Sequence, residues 1–196
     1  MPKVVDHDER RRAIAGALWR VVDRDGVTAV TMRSVARESG WSTGVVAHYF
    51  ADMDELTAHS FRLVQERMAQ RANRAYRRAA DPREGVRAAL AQALPLDTPR
   101  RREAAVWFGH LDRARHRPAV ATVVRHHYER WRDELATQVE AAWPGIADAS
   151  ALADELIAVV DGLAVRALTA PRAPGRTAQL RLLDSALSRV DTARSG

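Results

Sequence analysis

The feature that most limits how this chain can fold is its punctuation. Apolar residues recur every three to four positions through most of the sequence, and helix-starting and helix-stopping residues cut that repeat into segments. No alternating apolar–polar run extends beyond a few residues, so no sheet is expected and the chain reads as all-α. Asp81-Pro82-Arg83-Glu84 supplies a capping carboxylate, a proline at the first helical position and a glutamate in capping-box position. Asp97-Thr98-Pro99 and Pro118 open two further helices, Trp143-Pro144-Gly145 closes one, and Pro171 to Gly175 separates the last two. The sequence thus predicts nine helices. They run from about Glu9 to Asp25, Met32 to Glu38, Thr43 to Tyr49, Asp52 (as cap) to about Ala80, and Pro82 to about Leu94. The rest run from Thr98 to about His116, Pro118 to Ala142, Ala151 to Ala170 behind a Ser150 cap, and Thr177 to Val190.

A chain of 196 residues with 46% hydrophobic content can bury a core without cross-links, and it has no cysteine with which to make one. That absence also excludes zinc ribbons, thiol redox chemistry and a cysteine nucleophile. The stretch MPKVVDHDERRRAIAG is polar and charged, and no apolar run approaches 18 residues, so a cytoplasmic protein with no membrane partner is expected. Basic residues outnumber acidic ones by 31 to 25, a net charge of +6, and every basic residue except Lys3 is arginine. Arginine suits phosphate forks, although a GC-rich genome produces the same bias. The balance permits a nucleic-acid partner without demanding one.

The stretch SGWSTGVVAHYF, Ser39 to Phe50, joins two short helices through a tight glycine-containing turn. That is the helix-turn-helix pattern, in which the second helix enters the major groove. Val35 and Ala36 are expected to pack the first short helix, and Gly40 to make the turn. Ser42 caps the second helix where a phosphate could approach. Thr43, Gly44 and Ala47 keep the groove-facing side small, while Val45, Val46 and Phe50 are expected to point into the core. His48 and Tyr49 offer donors to phosphates or base edges. Trp41 either covers the small core or stacks on DNA, and Arg10, Arg11 and Arg12 either lie in solvent or add phosphate contacts.

The segment TMRSVARESGWSTGVVAHYFADMDEL, within a match from about Arg10 to Leu63, resembles the DNA-binding domain of TetR-family transcriptional regulators. The run STGVVAHYF looks most like the choline-responsive BetI branch, as do RHHYERWRDEL and LIAVVDGLAVRAL further on. The resemblance implies a nine-helix TetR-type fold. Residues 1–50 would form a three-helix helix-turn-helix domain, and residues 51–196 a helical ligand-binding and dimerisation domain. It implies a homodimeric regulator, by family habit a repressor, released from a palindromic double-stranded operator by a small organic ligand. No cofactor is implied. Thr31 and Arg33 stand where the family's first short helix meets DNA, and Ser42, Thr43 and Gly44 where its recognition helix starts. Ala47 replaces a DNA-reaching tyrosine common in the family, His48 and Tyr49 match its phosphate-contacting end, and Met53 replaces a phosphate-contacting lysine.

The larger region carries apolar faces at helical spacing. Leu156, Val160 and Leu163, with Leu183 and Leu187 in the last helix, are expected at a four-helix interface between subunits. The middle helices gather Trp107, Phe108, Leu111, His127, Tyr128 and Trp131, as an aromatic-lined ligand site would require, and such faces can hold a quaternary ammonium group. The histidines show no i,i+4 pair, so no metal is expected. There is no nucleophile elbow, phosphate-cradling glycine loop or carboxylate pair, so an enzyme is not expected. A helical scaffold would account for the bundle but not for the Ser-Thr-Gly helix start.

Overall fold

The computed structural model describes residues 7–193. The polar start, 1–6 with Lys3, lies outside them. Nine α-helices and one short 3-10 turn make up the described residues, with no strand among them. α1 spans His7–Asp25, η1 Val27–Ala29, α2 Met32–Ser39, α3 Thr43–Tyr49 and α4 Met53–Arg78. α5 spans Pro82–Ala93, α6 Thr98–Ala114, α7 Pro118–Ala142, α8 Ala149–Thr169 and α9 Arg176–Ala193. No helix among the described residues is long and apolar enough to cross a membrane.

The caps explain most boundaries. Asp81 accepts from the amides of Arg83 and Glu84 at 2.8 and 2.9 Å, and Glu84 reaches back to the Ala80 amide at 3.1 Å. Asp52 accepts from Glu55 N at 2.8 Å while Glu55 accepts from Ala51 N at 2.8 Å, a second reciprocal box. α8 departs from expectation. Its cap is Asp148, which accepts from Ala151 N at 2.8 Å, rather than Ser150. A carboxylate two residues upstream captures the Ala151 amide, so the helix starts at Ala149, two residues earlier than expected.

One compact unit runs to Glu66 and takes in Ala105–Val124; the other comprises Arg67–Ala104 and the chain from Arg125 onward. α4, α6 and α7 therefore each begin in one unit and end in the other. In the first unit α1 packs on η1, α2 and α3, with Ile14, Leu18, Val21, Val35, Val46 and Phe50 buried. The start of α4 belongs here because its side chains do. Trp19 Nε1 donates to the buried Ser60 Oγ at 2.5 Å, and Phe61 stacks on Trp107 of α6 with centroids 5.0 Å apart. In the second unit α5, α8 and α9 pack together around Val86, Leu90, Leu135, Trp143, Leu156, Val160 and Leu183. Trp143 Nε1 donates to Asp191 at 2.7 Å, satisfying the indole.

Candidate nucleic-acid interface and ligand site

Residues Thr31 to Phe50 form a twice-capped hairpin of helices. Thr31 Oγ1 accepts from Ser34 N at 3.0 Å and Ser34 Oγ accepts from Thr31 N at 2.8 Å. α2 stops at Gly40, whose φ of 75° lies in the left-handed region that favours glycine. Ser42 Oγ accepts from Val45 N at 3.2 Å. The hydroxyls of Thr31 and Ser42 thus hold the first turns of their own helices.

α3 buries Val46, and Phe50 one turn on is buried as well. At 100° per residue this sends Gly44 and His48 outward, with Val45 on one flank and Ala47 on the other. Thr43, Gly44, Val45, Ala47 and His48 are all exposed. Val45 corrects the sequence reading, which placed it in the core. It is 40% exposed. The Val46–Phe50 pair is the i,i+4 signal that could have found this, since it leaves no room for Val45 on the same face. Tyr49 is half-buried, with its ring 4.9 Å from His7 and 5.2 Å from His48. Arg33 and Arg37 are exposed on α2.

The arginine run does varied work. Arg11 donates to the Tyr49 carbonyl at 2.5 Å, pairs with Glu55 at 2.8 Å and lies 4.1 Å over the Phe50 ring. Arg10 lies 4.9 Å over Trp41, which is half-buried as a cover at the turn. Glu38 receives Arg24 at 2.6 Å and Arg20 at 2.7 Å; these bonds hold its carboxyl below the usual range and fasten α2 to α1.

α6 reinforces the same unit. The buried His110 ring has both nitrogens 2.7 Å from carbonyl oxygens, Val106 on its own helix and Thr57 on α4. Arg113 and Arg117 share Asp54 near the start of α4. Gly109 leaves room for Val27 of η1, which a Cβ would meet at 2.9 Å.

The six residues expected to line one ligand site fall into two groups. Trp107, Phe108 and Leu111 lie in the first unit, where Trp107 is buried against Phe61. His127, Tyr128 and Trp131 lie in the second, half-buried on α7 with ring centroids 5.8 to 6.4 Å apart. The sequence reading missed their partner on α8. Tyr128 OH donates to Asp161 Oδ2 at 2.6 Å, and burial raises that carboxyl above its ordinary value, against the pull of the Tyr128 bond. An aspartate interrupting the apolar run from Leu156 to Val165 was the available signal. Burial pushes His127 down to about 4, helped by Arg130 and His126, so the ring is neutral at pH 7. Two aromatic faces, a neutral imidazole and one carboxylate can receive a small cation.

The residues expected between subunits are placed differently. Leu156, Val160, Leu163, Leu183 and Leu187 are 0 to 7% exposed and belong to the chain's own core. An apolar stripe records that it is covered, not by which chain. The outward side of α8 carries exposed Ala158, Gly162 and Val165, and α9 exposes Leu182.

Such a helix-turn-helix hairpin on a three-helix core defines the class as a helix-turn-helix regulator. The model for the C-terminal region of BetI-type transcriptional repressors matches residues 82–192. The chain is 35% identical over 173 residues to the regulator PksA of Bacillus subtilis, covering 87% of this chain and 84% of that one. It is 31% identical to BetI of Rhizobium meliloti, over 85% and 81% of the two chains. A transcriptional regulator from a Rhodococcus species superposes with a TM-score of 0.86 at 30% identity, covering 93% of this chain and 96% of its own. A Saccharomonospora viridis protein crystallised with choline shares the fold, with a TM-score of 0.84 at 24% identity over 92% and 96%. The chain belongs to the TetR family of DNA-binding transcriptional regulators, with a C-terminal region of BetI type.

Proposed function

We propose that this regulator is a homodimeric repressor that binds a palindromic operator through α2 and α3 and releases it when a small organic cation occupies the second unit. One observation carries the reading: α3 leaves five of its seven residues exposed while two capped helices and a buried Val46 fix its orientation. Thr43, Gly44, Val45, Ala47 and His48 face the groove, Tyr49 lies at its edge, and Arg33 and Arg37 meet phosphates from α2.

The ligand reading rests on Tyr128, Trp131, His127 and Asp161, and is supported by the choline bound to a protein of the same fold. Ligand and operator then oppose each other by the same coupling free energy. The dimer reading moves to the outward face of α8 and α9, where Gly162 has nothing within 4 Å of an added Cβ and Val165 and Leu182 stay exposed. Selection of genomic DNA fragments by the purified protein, followed by footprinting, tests the whole. The expected product is an inverted repeat whose half-sites lie about one helical turn or a multiple apart. Failure to enrich any site rejects it. Trp131→Ala should weaken release by choline and leave ligand-free operator affinity unchanged.

A further inference from the structure

The outward face of α3 is unusual in what it lacks. Between Thr43 and Tyr49 there is no Arg, Lys, Asn, Gln, Asp or Glu. Those are the side chains that read base edges by paired hydrogen bonds in the major groove. What remains outward is the Thr43 hydroxyl and methyl, Gly44, Val45, Ala47 and His48. The major groove offers one apolar feature to such a surface, the C5 methyl of thymine.

Two observations point the same way. Val45 is 40% exposed, one of four large apolar side chains left exposed among the described residues. A Cβ on Gly44 would meet only Ser42 Oγ at 3.8 Å, an ordinary contact, so packing within the chain does not call for glycine there. Glycine weakens a helix, and its presence on the outward crest fits a backbone that must come close to something outside the chain.

We propose that α3 reads its operator chiefly through thymine methyl groups. Gly44 brings the helix backbone against the base edges, and Val45 and Ala47 on its two flanks pack on C5 methyls. His48 adds a single hydrogen bond, and Arg33 and Arg37 set the register on phosphates. The proposal rests on the assignment of α3 as the recognition helix, and its test separates the two.

In the recovered operator each thymine is replaced in turn by deoxyuridine, which removes the major-groove methyl and leaves pairing and backbone in place. The expected result is a loss of about fourfold in affinity at one or two positions per half-site, the value for one buried methyl group. In Val45→Ala one of those positions should become insensitive. Because Val45 is exposed, that variant should keep its helical circular dichroism. An operator bound with sequence preference yet indifferent to deoxyuridine everywhere would overturn the proposal and leave the regulator reading standing. So would sensitivity that neither Val45→Ala nor Ala47→Gly alters. If no operator is recovered, the regulator reading fails and takes the proposal with it.

Discussion

α3 and α8 spend their side chains in opposite ways. α8 has 21 residues, of which nine are buried; α3 has seven, and only Val46 is buried. In α8 the chain's own packing accounts for Leu152, Leu156, Val160 and Leu163. In α3 it accounts for Val46 and the Ser42 cap, and leaves the choice of Gly44, Val45, Ala47 and His48 unexplained. A residue that the fold does not require is the better guide to function, and by that measure the short helix says more than the long one.

The contrast can be broken most forcefully in α8. Leu156→Ala should cost about 2–5 kcal/mol of unfolding free energy, because it opens a cavity in a closed core. Urea denaturation would show a large fall in midpoint, while Val45→Ala barely moves it. Thr43→Glu should act in reverse, lowering operator affinity by about a hundredfold or more by placing a carboxylate against the phosphate-lined groove. Its unfolding midpoint and its sedimentation should match the parent's; an unchanged operator affinity would remove α3 from the interface.

Titration separates the regions more finely. His59 on α4 and His127 on α7 are both pushed down to about 4, chiefly by burial, against an ordinary 6.5. The unfolded chain therefore binds more protons between those values, and stability present above pH 6.5 should fall as the pH drops toward 4. Asp161 runs the other way, since its raised value favours the folded form at low pH and that advantage is lost as the pH rises through it. Asp161→Asn should accordingly raise the thermal midpoint at pH 7, leave it unchanged near pH 3, and weaken the response to choline. The smallest effect sharpens the comparison most. Gly44→Ala should stabilise the chain by up to about 1 kcal/mol and still weaken operator binding several-fold. A loss of stability would show that the fold does need this glycine.

The fold was legible because its boundaries are chemical. Asp81-Pro82, Ser42 and Gly40 mark their helix ends by groups that act locally, and the structure uses each as expected. What could not be read depends on distance along the chain. Periodicity put Leu156, Val160, Leu163, Leu183 and Leu187 on covered faces but could not tell the same chain from a second one. Val45 was misplaced because a valine beside a valine reads as core, and only the three-dimensional position of Val46 decides between them. Asp161 went unremarked because its partner, Tyr128, lies 33 residues away.

The return of α6 into the first unit has a practical consequence for anyone wishing to transplant this DNA reader onto another sensor. A cut at the first boundary of that unit, after Glu66, would strip the Thr57 carbonyl of His110, Phe61 of Trp107 and Asp54 of Arg113 and Arg117. The graft would carry a bare apolar flank and lose its bracing of η1 by Gly109. A working chimera has to take two separate pieces of this chain, and the segment from Ala105 to Val124 is the one a single crossover would leave behind.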